Sequence, residues 1–406
     1  MPWIGDIPEH WILARNKAFL LERKETVGKR TEYPLLSLTR EGVIYRDVES
    51  GKGKFPKDFD TYKIVSKGDV IFCLFDVDET PRTVGLSEIV GMITGAYNVF
   101  AIHDINKRFL YYFYIAIDDK KGMRPLYTGL RKVINVNKFL SAKIAIPTPA
   151  EQEKIVAFLD KQTNLIESCI CLRERELQTL IELKQAKIAS AVTRGLNPDV
   201  PMKDSGIPWI GMIPAHWEIK KLKYLFNERS EKGYPDEPVL CSTQKYGVIP
   251  QSLYENRVVV VNKGLEGLKL VEVGDFVISL RSFQGGIEYA YYRGIISAAY
   301  TVLSPRKGIN SEYLKHLLKS QPFIELLKTC VTGIREGQNI NYSLLKNKEW
   351  AFPPPEEQDA IISYLTNRNI DEYIKSLEKE IEYLKEYKQR LISDVVTGKV
   401  DVRDEA

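Results

Sequence analysis

The sequence predicts an α+β protein: two mixed α/β domains in a tandem pseudo-repeat, with two long helices that pair as an antiparallel coiled coil. Three observations predict this. The opening WIGDIPEHW, Trp3 to Trp11, returns as WIGMIPAHW, Trp209 to Trp217, an offset of 206. IPTPAEQEKIVAFL from Ile146 returns as FPPPEEQDAIISYL from Phe352 at the same offset. Each copy of that second stretch then runs into a helical pattern of about 40 residues, roughly 60 Å at 1.5 Å per residue.

A chain of 406 residues is too long for one typical core, so at least two domains are expected. An apolar share of 44% with 28% charged residues is a globular balance. The formal charge of +4 permits nucleic-acid binding without demonstrating it. Cys73, Cys169, Cys171, Cys241 and Cys330 are an odd set without metal-type pairing, as expected of small buried thiols in a reducing compartment. The start, with Pro2, Gly5 and Asp6, is unlike a signal peptide, and the longest apolar stretch, around Phe109 to Ile117, is too short to span a bilayer. A cytoplasmic protein without a membrane segment is expected.

Residues 1–147 form the first domain. Val70 to Leu74 is a β-type run behind a Gly-Asp turn, and Asn106 to Ile117 reads as a helix. Residues 148–194 are the central long helix, where Thr148, Pro149 and Glu151 supply the N-cap, N1 and N3 positions of a capping box. It closes with AVTRGL from Ala191. The segment 195–208, LNPDVPMKDSGIP from Leu196 onward, reads as a linker for its three prolines and polar turns. Residues 209–353 form the second domain, with strands expected at Val258 to Val261 and Phe276 to Leu280, and a helix from Ser311 to Cys330 interrupted by Pro322. VSKGDVIFCL at Val65 matches VEVGDFVISL at Val271, and GAYNVF at Gly95 matches AAYTVL at Ala298; elsewhere the middles have diverged. Residues 354–398 are the C-terminal long helix, with Pro355 at N1 and the Glu356 and Glu357 carboxylates at its positive end; VVTGKV closes it from Val395, and 399–406 is a tail.

In the C-terminal helix Ile370, Ile374, Leu377, Ile381, Leu384, Lys388, Leu391 and Val395 alternate spacings of four and three, a heptad seam. The central helix carries Ile166, Ile170, Arg173, Leu177, Leu180 and Lys184 on the equivalent face, a seam diluted by two cations. Such a stripe also suits a helix packed on its own domain. Mutual pairing buries both seams at once, and a duplicated unit that pairs with itself closes most simply about a two-fold axis, hence antiparallel.

The chemistry is sparse. There is no G-x-x-x-x-G-K-[ST], since GKGKFPK at Gly51 lacks the spacing, and no G-x-G-x-x-G opens a helix. No adenine-methyltransferase tetrapeptide or nuclease carboxylate pattern appears. His10 and His216, beside Trp11 and Trp217, read as packed turn residues. No catalytic, cofactor-binding or metal-binding residue is expected. The middles do carry loops whose side chains suit DNA: Arg281 and Gln284 in LRSFQGG, Arg335, Gln338 and Asn339 in TGIREGQNINY, Arg82 in ETPRTVG, and Arg131 with Lys132 in TGLRKVINVNKF. Arg reads guanine and Gln or Asn adenine in the major groove, while Lys holds phosphates. An Arg in a glycine-containing loop is also commonly just solvated or salt-bridged.

The W-I-G-x-I-P-x-H-W openings, the P-x-P-x-E-Q helix starts, the long helices and the V-T-R-G and V-T-G endings resemble the specificity subunit of type I restriction-modification enzymes, across essentially the whole chain and in both halves. The resemblance implies two target recognition domains reading a bipartite, asymmetric duplex-DNA target. It also implies assembly with two methyltransferase and two restriction subunits, which bind S-adenosylmethionine and ATP with magnesium and carry out adenine-N6 methylation and cleavage. The first opening departs from the second, lacking the Lys-Asp-Ser-Gly that precedes Trp209 and the Leu-Lys-Tyr at Leu222 to Tyr224. Two other classes stay open: a DNA methyltransferase or nuclease with unrecognised motifs, and a coiled-coil interaction scaffold without DNA readout.

Overall fold

The computed structural model describes residues 6–28, 32–46, 59–128, 132–254, 264–280, 282–333, 339–366 and 369–404. The chain divides into two compact units, residues 1–175 with 377–406, and residues 176–376.

In the first unit the central sheet is antiparallel, in the order Leu20–Arg23, Asn98–Ile102, Val70–Phe72, Val84–Leu86. Beside it lie the hairpin Leu36–Thr39 with Gly42–Tyr45 and the pair Lys63–Val65 with Gly91–Ile93. The opening strand Ile12–Arg15 pairs with Lys143–Ile146, immediately before the long helix. In the second unit the sheet runs Phe226–Arg229, Thr301–Pro305, Phe276–Ile278, Glu288–Tyr289. The hairpin Leu240–Thr243 with Gly247–Pro250, the pair Lys269–Val271 with Gly294–Ile296, and the opening strand Glu218–Lys221 on Glu349–Phe352 complete the correspondence. The duplication therefore extends through the middles whose letters have diverged, and the first opening forms the same ladder as the second.

Residues that recur in both halves hold much of this frame. The Gly-Asp turn works because Asp69 accepts the Ser66 N–H at 2.8 Å and forms an ion pair with the Arg23 guanidinium 2.7 Å away. Asp275 does the same for the Glu272 N–H at 2.9 Å and Arg229 at 2.8 Å. Both carboxylates are buried; a partnered, hydrogen-bonded charge is the condition under which burial is tolerated. Asn106 caps the helix Lys107–Asp119, and Asn310 caps Ser311–Leu317. Pro322 stands in the first turn of Gln321–Lys328, where its missing N–H is tolerated and prevents that helix from continuing Ser311–Leu317. Cores then form on aromatic side chains: Phe72 meets Phe100, Tyr114 and Phe139 with ring centroids 6.0, 4.8 and 4.7 Å away.

The central helix runs unbroken over Pro149–Arg194. The C-terminal one does not: Pro355–Leu365 ends on a Thr366 cap and Asn369–Val396 follows, where the second copy is two residues shorter than the first. Within the first unit Glu167 meets Lys388 at 2.5 Å, Glu174 meets Lys385 at 2.8 Å and Arg173 meets Glu380 at 2.9 Å. Within the second, Glu176 bonds Tyr373 and Lys184 meets Asp371 at 2.5 Å. Rising numbers against falling ones make the helices antiparallel in each unit. The two cations that dilute the first seam, Arg173 and Lys184, thus have carboxylate partners. Ile166, Ile170, Leu377 and Ile381 are buried on the seam; exposed ion pairs contribute about 0–1 kcal/mol each, so the apolar contacts dominate.

Two other expectations change. Residues 195–208 are not all linker: Met202–Asp204 pairs with Met212–Pro214, with Ser205 and Ile207 buried. Thr148 Oγ1 accepts the Glu151 N–H at 3.4 Å, but the Glu151 carboxylate turns away to Trp11 instead of closing a capping box. The expected strand Val258 to Val261 lies outside the described residues, as does Gly51 with its loop. No helix of the described residues is long and apolar enough to cross a membrane.

Candidate nucleic-acid interface

In each unit, the loop after the third strand in the sheet order meets the hairpin before the next helical turn. In the first, residues 73–83 follow Val70–Phe72 and touch the hairpin Tyr127–Thr128 with Val133–Ile134. Phe75 bridges Val133, and the Ile134 N–H donates to the Leu74 carbonyl at 2.7 Å. Asp78 gathers the two segments, holding Arg124 at 2.6 Å and Lys132 at 3.9 Å; Arg124 keeps its carboxyl below the usual carboxylate range. In the second, the turn Ser282–Gly285 lies against Asn339–Ile340, which pairs with Val331–Thr332. The two loops singled out from sequence in each half are thus neighbours.

Lys132, at a positive φ of 51°, is half-exposed at the hairpin turn. Gln284 is exposed in its helical turn, and Asn339 sits half-buried at its strand's start. Arg82 faces inward: its side chain is 15% exposed and Nη1 donates to Asp118 at 3.2 Å and Asp119 at 2.9 Å. Asp118, buried at the end of its helix, also accepts from the Thr83 N–H and hydroxyl, so this arginine pins the loop to the helix. Arg131, Arg281, Arg335 and Gln338 lie outside the described residues. Among the described residues no cluster of His, Cys, Asp or Glu is placed to hold a metal ion.

Sequence reasoning missed what the framework motifs do together. In the first unit Trp11 Nε1 donates to Glu151 Oε1 at 3.0 Å and His10 Nε2 lies 3.1 Å from Oε2. In the second, Glu357 Oε2 takes Trp217 Nε1 at 2.9 Å and His216 Nε2 at 2.7 Å. The opening motif is therefore tied to the helix-start motif. The V-T-R-G and V-T-G endings join the same junctions, each from the other half's helix. Gly398, at φ +73°, lies so close to Pro8 that an added Cβ would stand 2.4 Å from its ring, and Gly195, at φ +74°, lies as tightly on Glu357. Ile392, Val395 and Val396 pack into the core with Trp11, and Ile188, Ala191 and Val192 into that with Trp217. The identical separations His10–Glu151 and His216–Glu357 were the available signal.

A family model described as type I restriction modification DNA specificity domain matches residues 32–176 and again 214–385. The chain is 24% identical to the putative type I restriction enzyme MjaX specificity subunit of Methanocaldococcus jannaschii, over 98% of this chain and 96% of that one. It is 26% identical to the MjaVIII specificity subunit of the same organism, over 98% and 95%. Its fold is similar to that of a chain solved in a study of complex assembly and conformational transition of the type I R-M system, with a TM-score of 0.66, 16% identity and coverage of 97% and 100%. Two matches in one chain, one for each of two equivalent folds, establish that this protein belongs to the family of type I restriction-modification DNA specificity subunits.

Proposed function

We propose that the chain selects the DNA sequence on which a type I restriction-modification complex acts, reading a bipartite, asymmetric target with one half-site for each of its two domains. The observation that carries this is the contrast between frame and loops. Strands, caps, buried Asp–Arg pairs and Trp–Glu junctions repeat, while the paired loops present different side chains in each half, as expected if a common scaffold displays two unlike reading heads. Base and phosphate contacts are assigned to these loops: Arg82, Arg131 and Lys132 in the first, Arg281, Gln284, Arg335, Gln338 and Asn339 in the second. Of these, Lys132 and Gln284 are the better placed among the described residues; Arg82 offers DNA only what its two carboxylates leave.

The paired helices, as an antiparallel coiled coil, set the number of unread base pairs between the half-sites, as domain spacing does in other two-site readers. The chain itself is non-catalytic. Two methyltransferase subunits with S-adenosylmethionine supply adenine-N6 methylation, and two restriction subunits with ATP and magnesium supply cleavage, in the cytoplasm. Leu165, Leu172 and Leu183 are exposed on the central helix, which fits external helices of the methyltransferase subunits covering it.

The test is co-expression with the methyltransferase subunit of the same genome, followed by single-base mapping of N6-methyladenine. One asymmetric motif with two half-sites and a fixed gap is the expected result. A stable complex that adds no methylation supports a scaffold without DNA readout instead.

A further inference from the structure

The second unit carries a concavity of about 270 Å³ that no loop singled out from sequence accounts for. Three elements converge on it: the hairpin turn Gln244–Gly247, the strand around Glu288 to Tyr291, and the helix Ser311–Leu317 with Lys319 beyond it. Tyr246 is 49% exposed and Tyr291 44%. Lys315 Nζ stands 5.1 Å from the Tyr289 ring centre and 4.8 Å from that of Tyr291, a cation held between two rings, with Glu312 3.6 Å away on its own helix. Below them Lys319 braces the floor. Its Nζ donates to the buried Glu288 at 2.5 Å, to the Gly285 carbonyl at 2.9 Å and to the Gln244 carbonyl at 3.4 Å. Gly285 is packed so closely on the Gln244 side chain that a Cβ there would lie 2.8 Å from it. The concavity is therefore continuous with the turn that presents Gln284.

Its chemistry points to a polyanion with flat, polar-edged rings. In duplex DNA lysines and tyrosine hydroxyls hold phosphate oxygens, and glutamine is the side chain that reads adenine edge-on. Small-molecule cofactors occupy cavities of roughly 300–1,000 Å³ and bury most of their surface, which this shallower site does not offer. Glu288 Oε2, buried and without a hydrogen-bond partner, leaves an acceptor behind the lysines. At the equivalent place the first unit has Arg40 and Glu41 in the shorter turn Thr39–Gly42 and Tyr111 where Lys315 stands, so the feature belongs to one half only.

Building on the function proposed above, we infer that this concavity extends the reading surface of the second half beyond the Gln284 and Asn339 loops, with Lys315 on a backbone phosphate of duplex DNA and Gln244, Tyr246 and Tyr291 on the adjoining base edges. Lys319 is a positioning residue that holds the turn and the Gln284 loop together.

The test uses the complex of the full chain with its methyltransferase subunit and duplexes carrying every single-base change in the mapped target. Gln244→Ala and Tyr246→Ala are expected to flatten discrimination about 10- to 100-fold at one or two adjacent positions of one half-site, leaving the other half-site as in the parent. Lys315→Gln, which keeps the stem on the rings, is expected to weaken all sequences alike and to reduce the slope of log affinity against log salt by about 1. Tyr224→Ala, an exposed tyrosine of the same unit outside the concavity, is the control. Folded variants with the parent's discrimination profile and salt slope overturn the inference while the two-half-site function stands. A parent complex with no bipartite preference overturns both.

Discussion

Replacing Glu151 with alanine removes one carboxylate from three structures at once. The buried Trp11 Nε1 loses its acceptor, His10 loses its partner, and the long helix loses a negative charge from its first turn. Leaving a buried donor unpaired costs about 1–3 kcal/mol, and the helix-end charge contributes about 0.3–1 kcal/mol, so a loss of about 2–4 kcal/mol is expected. In a unit of this size each kcal/mol moves the midpoint by about 2–4 °C, giving a fall of roughly 5–15 °C in the transition of the first unit. Glu151→Gln keeps an acceptor for Trp11 and should recover more than half. Thermal unfolding gives the magnitude and hydrogen exchange the place. Amides of residues 6–18 and 391–402, which meet at this junction, should lose protection while 212–225 retain theirs. A midpoint within about 1 °C of the parent, or a glutamine variant as damaged as the alanine one, would refute the junction's role.

The other expectations are brief. Gly398→Ala forces a left-handed alanine onto Pro8, costing about 2–5 kcal/mol in the same unit, and Gly195→Ala, which crowds only the movable Glu357 carboxylate, should cost about 1–2 kcal/mol of left-handed strain in the second; paired melts check both. Leu377→Ala empties a buried seam position and should destabilise by about 2–5 kcal/mol in denaturant titration, well beyond the about 0–1 kcal/mol lost with Lys385→Ala. Lys319→Met strands the buried Glu288 carboxylate and should cost about 3–5 kcal/mol, largely restored by adding Glu288→Gln. Burial, with help from the Lys315 charge, lowers the His316 pKa below its ordinary 6.5. The unfolded chain then binds the extra proton first, so stability should decline as pH falls below about 6.5, and His316→Gln should flatten that decline in melts between pH 5 and 7.

The frame was legible because its motifs recur: Trp11 and Trp217, Glu151 and Glu357, and the Gly-Asp turns announce the duplication in the letters. Their purpose was not. A glutamate three residues after a threonine looks like a capping box, and only the tertiary fold brings Trp11 to compete for its carboxylate. Arg82 illustrates the opposite difficulty, since its partners Asp118 and Asp119 stand on a helix that sequence separation hides. Gln244 and Tyr246 escaped notice because a hairpin turn acquires a concave neighbour only when Lys315 and Lys319 arrive from a distant helix. Met202–Asp204 became a strand because its partner, Met212–Pro214, belongs to the next motif.

The most direct test of the central claim, that each unit reads its own half of one target, is to exchange residues 19–145 for the corresponding segment of another specificity subunit and map N6-methyladenine in cells with the methyltransferase subunit. A motif changed in one half-site, with the other half-site and the gap retained, is the result expected. A motif altered in both halves, or not altered at all, would contradict it.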